Sequence, residues 1–235
     1  MLLDYKNLQV IILAGGFGSR LSEYTKFLPK PLVKINKIPI LIHIMNHYKN
    51  YGFKNFIIAT GYKSNEIKKY FKQKKHDFNV KIVFTGKNSM TGGRILRLKK
   101  YINNTFFLTY GDGVSNVNLK KLYNFHIKNK KIGTVTAVRP PSRFGVLNIK
   151  KNIVENFKEK IPMPVGWING GFFIFEPAFL KYIKNDQTIL EAHPLETISK
   201  KKQLAAFKHH GFWKCVDTKR DKDHLDEIFK KKKAI

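Results

Sequence analysis

The sequence holds a single cysteine, Cys215, so no internal disulfide can form, and a cysteine-built zinc module is excluded. No apolar run approaches the roughly 18 residues a membrane helix needs; the longest, such as Val10–Ala14, are strand-length. The first eight residues carry Asp4 and Lys6 and show no secretory pattern, so a reduced, cytoplasmic setting is expected. Acid is scarce: 16 Asp and Glu face 45 Lys and Arg, a net charge of +29. Arginine is scarce as well, at six residues against 39 lysines. Arginine is the better reader of bases and phosphates, and these lysines spread along the whole chain. A lysine-biased surface is therefore favoured over a specific nucleic-acid interface, and a small polyanionic substrate is compatible with it. Core material, by contrast, is ample: 43% of the 235 residues are apolar and 13% aromatic, which excludes a disordered chain.

The first half alternates strand and helix patterns. Buried-type strands are expected at Gln9–Leu13, Asn55–Ala59, Val80–Thr85, Thr105–Tyr110 and Gly133–Val138. Helices are expected at Ile40–Tyr51, Asn65–Gln73, Ile95–Tyr101 and Leu119–Asn129. That rhythm predicts a mostly parallel sheet with right-handed crossovers. The second half predicts a hairpin of Val146–Ile149 and Val154–Phe157 around Lys150-Lys151-Asn152, a strand at Gly171–Phe175, helices at Phe179–Lys184 and Leu195–Lys202, a short strand at Leu204–Phe207 and a closing helix at Asp221–Lys232. The fold class expected is α/β: a Rossmann-like, mostly parallel sheet flanked by helices, with a small β-rich lid or insertion. No repeat or linker divides residues 1–235, which read as one domain.

The first strand runs into Gly15-Gly16-Phe17-Gly18-Ser19-Arg20-Leu21. Glycines after a buried strand let backbone N–H groups face a phosphate unobstructed. Leu21 stands where a dinucleotide fingerprint needs its third glycine, and the Gly-Lys-Ser/Thr of a Walker loop is absent. Shortly after, Pro29-Lys30-Pro31 fixes the backbone around one lysine. Asp112 lies between two glycines at the carboxyl end of an apolar strand, the edge where open α/β sheets bind ligands. An Asx turn is its structural alternative. Asp217 follows an aromatic-rich strand, and the alternative there is an N-cap for the last helix.

Leu13-Ala14-Gly15-Gly16-Phe17-Gly18-Ser19-Arg20-Leu21 followed by Pro29-Lys30-Pro31-Leu32-Val33 resembles the signature of the sugar-1-phosphate nucleotidylyltransferases. Thr85–Arg94 resembles the segment typical of the glucose-1-phosphate cytidylyltransferases among them. Tyr110–Ser115, Arg143-Phe144-Gly145, Trp167–Phe173, Pro194–Thr197 and Val216-Asp217-Thr218 fit as well, so the likeness runs from about Val10 to about Phe229.

The resemblance implies an enzyme joining CTP and α-glucose 1-phosphate into CDP-glucose with release of pyrophosphate. It implies Mg²⁺ held by Asp112 and Asp217. It implies Arg20 and Lys30 as catalytic cations on the phosphates. Nucleotide contacts are implied for Leu13, Ala14, Gly15, Gly16, Phe17, Gly18, Ser19, Arg20, Lys30, Ser89, Arg94 and Gly111. Sugar-phosphate contacts are implied for Glu159, Lys160, Asn169 and Gly170. Three departures stand out. Ser89 replaces a common threonine and keeps its hydroxyl. Ile161 displaces the proline that usually follows Glu-Lys. Only Lys72–Asn79 separates a helix from the next strand, where a longer segment usually serves nucleotide and subunit contacts. A homo-oligomer of open size is expected, with no membrane and no specific nucleic acid as partner. His209-His210 reads as structural or surface, since neighbours on a strand point to opposite faces.

Overall fold

The computed structural model describes residues 4–139, 146–158 and 166–231. Arg143-Phe144-Gly145 and Glu159-Lys160 lie outside them. A seven-stranded sheet is built from β1 (Gln9–Ala14), β2 (Asn55–Thr60), β3 (Asn79–Phe84), β4 (Phe106–Tyr110), β5 (Gly133–Val138), β6 (Ile168–Phe175) and β7 (Leu204–His209), in the order β7-β5-β6-β4-β1-β2-β3. All pairings are parallel except those of β6, which runs antiparallel to both β4 and β5. The amino end of β6 therefore lies at the same sheet edge as the carboxyl ends of its neighbours. This is the expected α/β architecture.

The central strands carry no polar face because both sides are covered. Val10, Ile12 and Ala14 enter one core with Phe56, Ile58, Phe107 and Phe172. Ile11 and Leu13 enter the other with Ile57, Leu108, Phe173 and Phe175. Period-two alternation thus feeds two cores, as continuous apolar strands of parallel sheets do. The helix α1 (Ile40–Lys49) buries Leu41, Ile44, Met45 and Tyr48 in the first core, and α2 (Ser64–Gln73) buries Ile67 there.

Two expected helices differ. The stretch at Ile95–Tyr101 starts earlier, as α3 (Thr91–Leu96), and ends in a 3₁₀ turn at Lys99–Tyr101. Gly92 and Gly93 argue against helix by propensity, but close packing described below requires them. Phe179–Lys184 is a 3₁₀ turn spanning Pro177–Tyr182. The hairpin is present as Val146–Lys150 against Ile153–Lys158, with Lys151 and Asn152 at φ +47° and +67°. Two left-handed residues make the tight turn that matches strand twist. A second small antiparallel pair, Gly113–Ser115 with Trp213–Cys215, lies at the edge of the main sheet. Between Cys215 and the last helix α4 (Lys219–Lys231) comes Asp217.

Candidate active site

Lys30 sits at the start of a 3₁₀ turn, with Pro29 extended before it at φ −66° and ψ 144°. Gly18 lets it approach the first loop. Gly18 has φ +65°, and a Cβ there would stand 2.8 Å from Thr25 Cγ2 and 3.1 Å from Lys30 Cβ. Gly111 does the same beside it: its N–H donates to the Leu13 carbonyl at 2.9 Å, and a Cβ would stand 3.1 Å from Pro31. The proline-flanked lysine is thus wedged between the ends of β1 and β4.

The short pair Gly113–Ser115 and Trp213–Cys215 brings the two aspartates together. Its register sets Cys215 opposite Gly113, and Val216 N donates to the Asp112 carbonyl at 3.0 Å. The Lys30 ammonium donates to Asp112 Oδ2 at 2.6 Å and to Asp217 Oδ1 at 2.8 Å. Arg20 reaches the other oxygen of Asp217, with Nη1 to Oδ2 at 3.0 Å. Burial pulls the Lys30 pKa down, yet the charges and hydrogen bonds of Asp112 and Asp217 outweigh it and hold it above the ordinary lysine value. Burial likewise opposes ionisation of Asp217, but Lys30, then Arg20, hold its carboxyl below the usual range. Burial, with Asp217 and Asp112 close by, pushes the Cys215 thiol up to about 11, leaving it a poor nucleophile.

Asp217 does not cap α4. Thr218 does: its hydroxyl accepts from Asp221 N at 3.2 Å, while the Asp221 carboxylate accepts from Thr218 N at 3.0 Å and its hydroxyl at 2.8 Å. That reciprocal box frees the Asp217 carboxylate from capping, so Oδ1 takes Lys30 while Oδ2 takes Arg20 and the Cys215 thiol at 3.7 Å. Among the described residues no three His, Cys, Asp or Glu side chains form a metal cluster. The two carboxylates converging on one ammonium are a different donor set. Mg²⁺ uses one or two carboxylates with phosphate oxygens and water, so this pair fits it.

The glycine loop flanks the cluster. Gly15 is buried, while Gly16, Phe17, Ser19 and Arg20 are exposed. Nothing stands within 4 Å of a Cβ placed on Gly16, so its backbone is open to approach. Phe17 packs on Tyr62, ring centroids 5.2 Å apart.

Arg94 is 4% exposed and lies beneath this loop. Its guanidinium donates to the carbonyls of Gly15 (2.8 Å), Gly86 (2.7 Å), Thr60 (3.3 Å) and Lys87 (3.3 Å), and to the Thr85 hydroxyl at 3.1 Å. A Cβ on Gly15 or Gly61 would collide with the guanidinium, so those two glycines are shaped by Arg94 as much as by any phosphate. Ser89 is buried nearby, against Gly86.

At the amino end of β6, Asn169 Oδ1 accepts from Gly171 N at 2.8 Å, and Gly170 O accepts from Trp213 Nε1 at 2.7 Å. Arg20, Lys30, Asp112 and Asp217 thus form one cluster, with the loop and the Asn169 region beside it. His209 is structural: its Nε2 lies 3.3 Å from the Ser115 hydroxyl and 3.1 Å from the Phe212 carbonyl. Thr91 and Tyr110 stand in the motif segments without an assigned site role, and Glu191, which accepts from both hydroxyls beside Asn169, lies in none of them. The signal was available only as an acid next to an apolar turn in a chain poor in acids.

Residues 9–221 match the family model described as nucleotidyl transferase. The chain belongs to the nucleotidyl transferase family. It is 41% identical to a glucose-1-phosphate cytidylyltransferase of Salmonella typhimurium, over 97% of this chain and 98% of that one. The alignment spans 251 positions, more than this chain's own 235, so parts of that relative have no counterpart here. It is 32% identical to the catalytic subunit beta of a mannose-1-phosphate guanylyltransferase of Drosophila melanogaster, over 92% of this chain and 61% of that one. Among solved structures, HddC of Yersinia pseudotuberculosis complexed with GMP-PN superposes with a TM-score of 0.75 at 25% identity, covering 94% of this chain and 99% of that one. The family recognised from the glycine and Pro-Lys-Pro motifs is therefore the right one.

Proposed function

We propose that the chain joins CTP and α-glucose 1-phosphate, giving CDP-glucose and pyrophosphate. The observation that carries this is the convergence of Lys30, Arg20, Asp112 and Asp217 beside an open glycine loop. A phosphate oxygen of the sugar phosphate attacks the α-phosphorus in line, and the bond to the bridging oxygen of pyrophosphate breaks. Both substrates are anions, so positioning and charge neutralisation dominate the barrier. The loop Leu13–Ser19 presents backbone amides to the triphosphate. Lys30 exchanges a carboxylate for a phosphate oxygen, and the exposed Arg20 follows. Asp112 and Asp217 are the residues to hold Mg²⁺, which when bound neutralises phosphate charge and orients the α-phosphate. Arg94 serves the nucleotide from beneath, by fixing the Gly15 carbonyl and the chain carrying Ser89. Gly111 stands at the ribose side, and Asn169 and Gly170 at the sugar side. Glu159 and Lys160 keep their sugar-phosphate role as an expectation.

Cytosine as the base is supported by the 41% identity to the Salmonella cytidylyltransferase. The reading places the enzyme in the cytoplasm as a homo-oligomer, and among the described residues no helix is long and apolar enough to cross a membrane. Pyrophosphate release across CTP, UTP, dTTP and GTP, each with glucose, galactose and mannose 1-phosphates, tests it. CTP with glucose 1-phosphate should turn over fastest. Equal or faster turnover with UTP or dTTP would discard the cytidylyl assignment and leave the family intact.

A further inference from the structure

Gly92 and Gly93 are required by packing. A Cβ on Gly92 would stand 2.7 Å from the Thr188 carbonyl oxygen, and one on Gly93 would collide with the Asp186 backbone. Met90 N donates to Asp186 O at 2.8 Å and Gly93 N to Thr188 O at 3.2 Å. The two glycines let the chain from Asp186 to Leu190 lie flat against α3, and Glu191 comes next.

Glu191 is tightly oriented. Its Oε2 accepts from the Thr91 hydroxyl at 2.8 Å, and that hydroxyl in turn accepts from Leu190 N at 2.8 Å. Its Oε1 accepts from the Tyr110 hydroxyl. Asn169 Nδ2 donates to the same tyrosine oxygen at 3.3 Å. Tyr110 cannot swing away. Its ring covers Gly171, where a Cβ would stand 2.5 Å from Cδ2, and it meets Phe173 edge-on at 5.7 Å. Burial, then the Glu191 charge, raise the tyrosine pKa, so its hydroxyl stays a donor. Glu191 and Asn169 are themselves exposed, and among the described residues Glu191 makes no ion pair in a chain of charge +29. A carboxylate held by two hydroxyls, with lone pairs left over and no cation, is an acceptor for further hydroxyl donors.

We propose that Glu191, aimed by Thr91 and Tyr110 and flanked by Asn169, reads a vicinal pair of hydroxyls on the hexose. The inference rests on the reaction proposed above. A ribose could offer the same diol, but the position favours the hexose. Thr91 follows Ser89 by two residues and Tyr110 precedes Gly111, which sets Glu191 between the nucleotide segment and β6, and Asn169 on β6 is the sugar-side residue that flanks it. Tyr110 also leads directly into Gly111-Asp112, so the diol site adjoins the reacting phosphates.

The test is steady-state kinetics of Glu191→Gln and Tyr110→Phe with both substrates varied, together with calorimetric binding of glucose 1-phosphate. Glu191→Gln should raise KM for glucose 1-phosphate at least about tenfold, as loss of hydrogen bonds to a charged group does. It should leave KM for CTP within about twofold. Discrimination between glucose 1-phosphate and its galacto and manno epimers should fall, and Tyr110→Phe should show a smaller change in the same direction. A rise in KM for CTP with that for glucose 1-phosphate unmoved would assign the diol to the ribose and overturn the proposal. Unchanged kinetics and discrimination with a lower melting temperature would make the pair structural and also overturn it. A wild-type protein that binds glucose 1-phosphate through Glu191 but uses another nucleotide would overturn the cytidylyl reading alone.

Discussion

Two cations, Lys30 and Arg94, are nearly sealed from solvent at the same sheet edge, 9% and 4% exposed, and they are held in opposite ways. Lys30 stands between two carboxylates, which keep its pKa raised against burial. Arg94 faces carbonyls and one hydroxyl, all neutral, and burial lowers its pKa. A cation held by charges at 2.6 and 2.8 Å can trade them for phosphate oxygens, because the replacement is chemically equivalent. A guanidinium that satisfies five backbone and side-chain acceptors has no such substitute and acts as a brace. The difference separates the proposed reacting centre from its scaffold, although both residues would be labelled substrate contacts from motifs alone.

The largest effect expected on the reacting side is from Asp112→Asn or Asp217→Asn. Each keeps its shape and loses a charge, so turnover should fall at least about 100-fold with the circular dichroism unchanged. Near-normal pyrophosphate release in both would erase the distinction. On the bracing side, Arg94→Met leaves several buried carbonyls unpaired. Chemical denaturation should then show a loss of about 2–4 kcal/mol.

A third test separates both regions from ordinary acid sensitivity. Burial pushes the His47 pKa down to about 4, with its Nε2–H donating to Val117 O at 3.0 Å. Unfolded histidine titrates near 6.5, so the unfolded chain binds the extra proton between those values. Stability from this group is full above about pH 6.5 and is lost as pH falls toward 4, at up to about 1.4 kcal/mol per pH unit. Asp217, with a depressed pKa, loses its contribution only at lower pH. Lys30, with a raised pKa, keeps its contribution until pH rises through its folded value. His47→Gln should therefore flatten the slope between pH 6.5 and 4 in denaturant melts. An unchanged slope would place the acid loss in the other histidines whose pKa burial lowers, His43 and His209. The smallest stability effect belongs to Arg20→Gln. With its side chain 71% exposed, its ion pair with Asp217 should be worth less than about 1 kcal/mol, whereas turnover should drop markedly.

What the sequence made legible follows from local physics. β1 and its glycine loop are contiguous, and Leu119–Asn129 and Gly133–Val138 fall where periodicity set them. Asp112 stood out because glycines flank it at a strand end. Its meeting with Asp217 was not legible, because it depends on a three-residue ladder between distant segments, Gly113–Ser115 and Trp213–Cys215. The capping role fell to Thr218 rather than Asp217, a choice between adjacent residues that only side-chain geometry decides. The helix at Thr91 was read too late because Gly92-Gly93 suppress helix propensity while serving a tertiary contact. Tyr110 heads a motif segment, but its pairing with Glu191 belongs to no local pattern, the two being 81 residues apart.

The most direct measurement is the thermal melt of Lys30→Met with and without Mg²⁺, beside the same melts of Arg94→Met. Removing the ammonium leaves Asp112 and Asp217 facing each other, so Lys30→Met should melt lower without divalent ion. Millimolar Mg²⁺ should restore much of that loss, because the two carboxylates then hold the cation, while turnover stays lost. Arg94→Met should remain destabilised whether or not Mg²⁺ is present. A Lys30→Met melt that Mg²⁺ leaves unmoved, or normal turnover in that variant, would contradict the assignment of this cluster as the metal-holding, reacting centre.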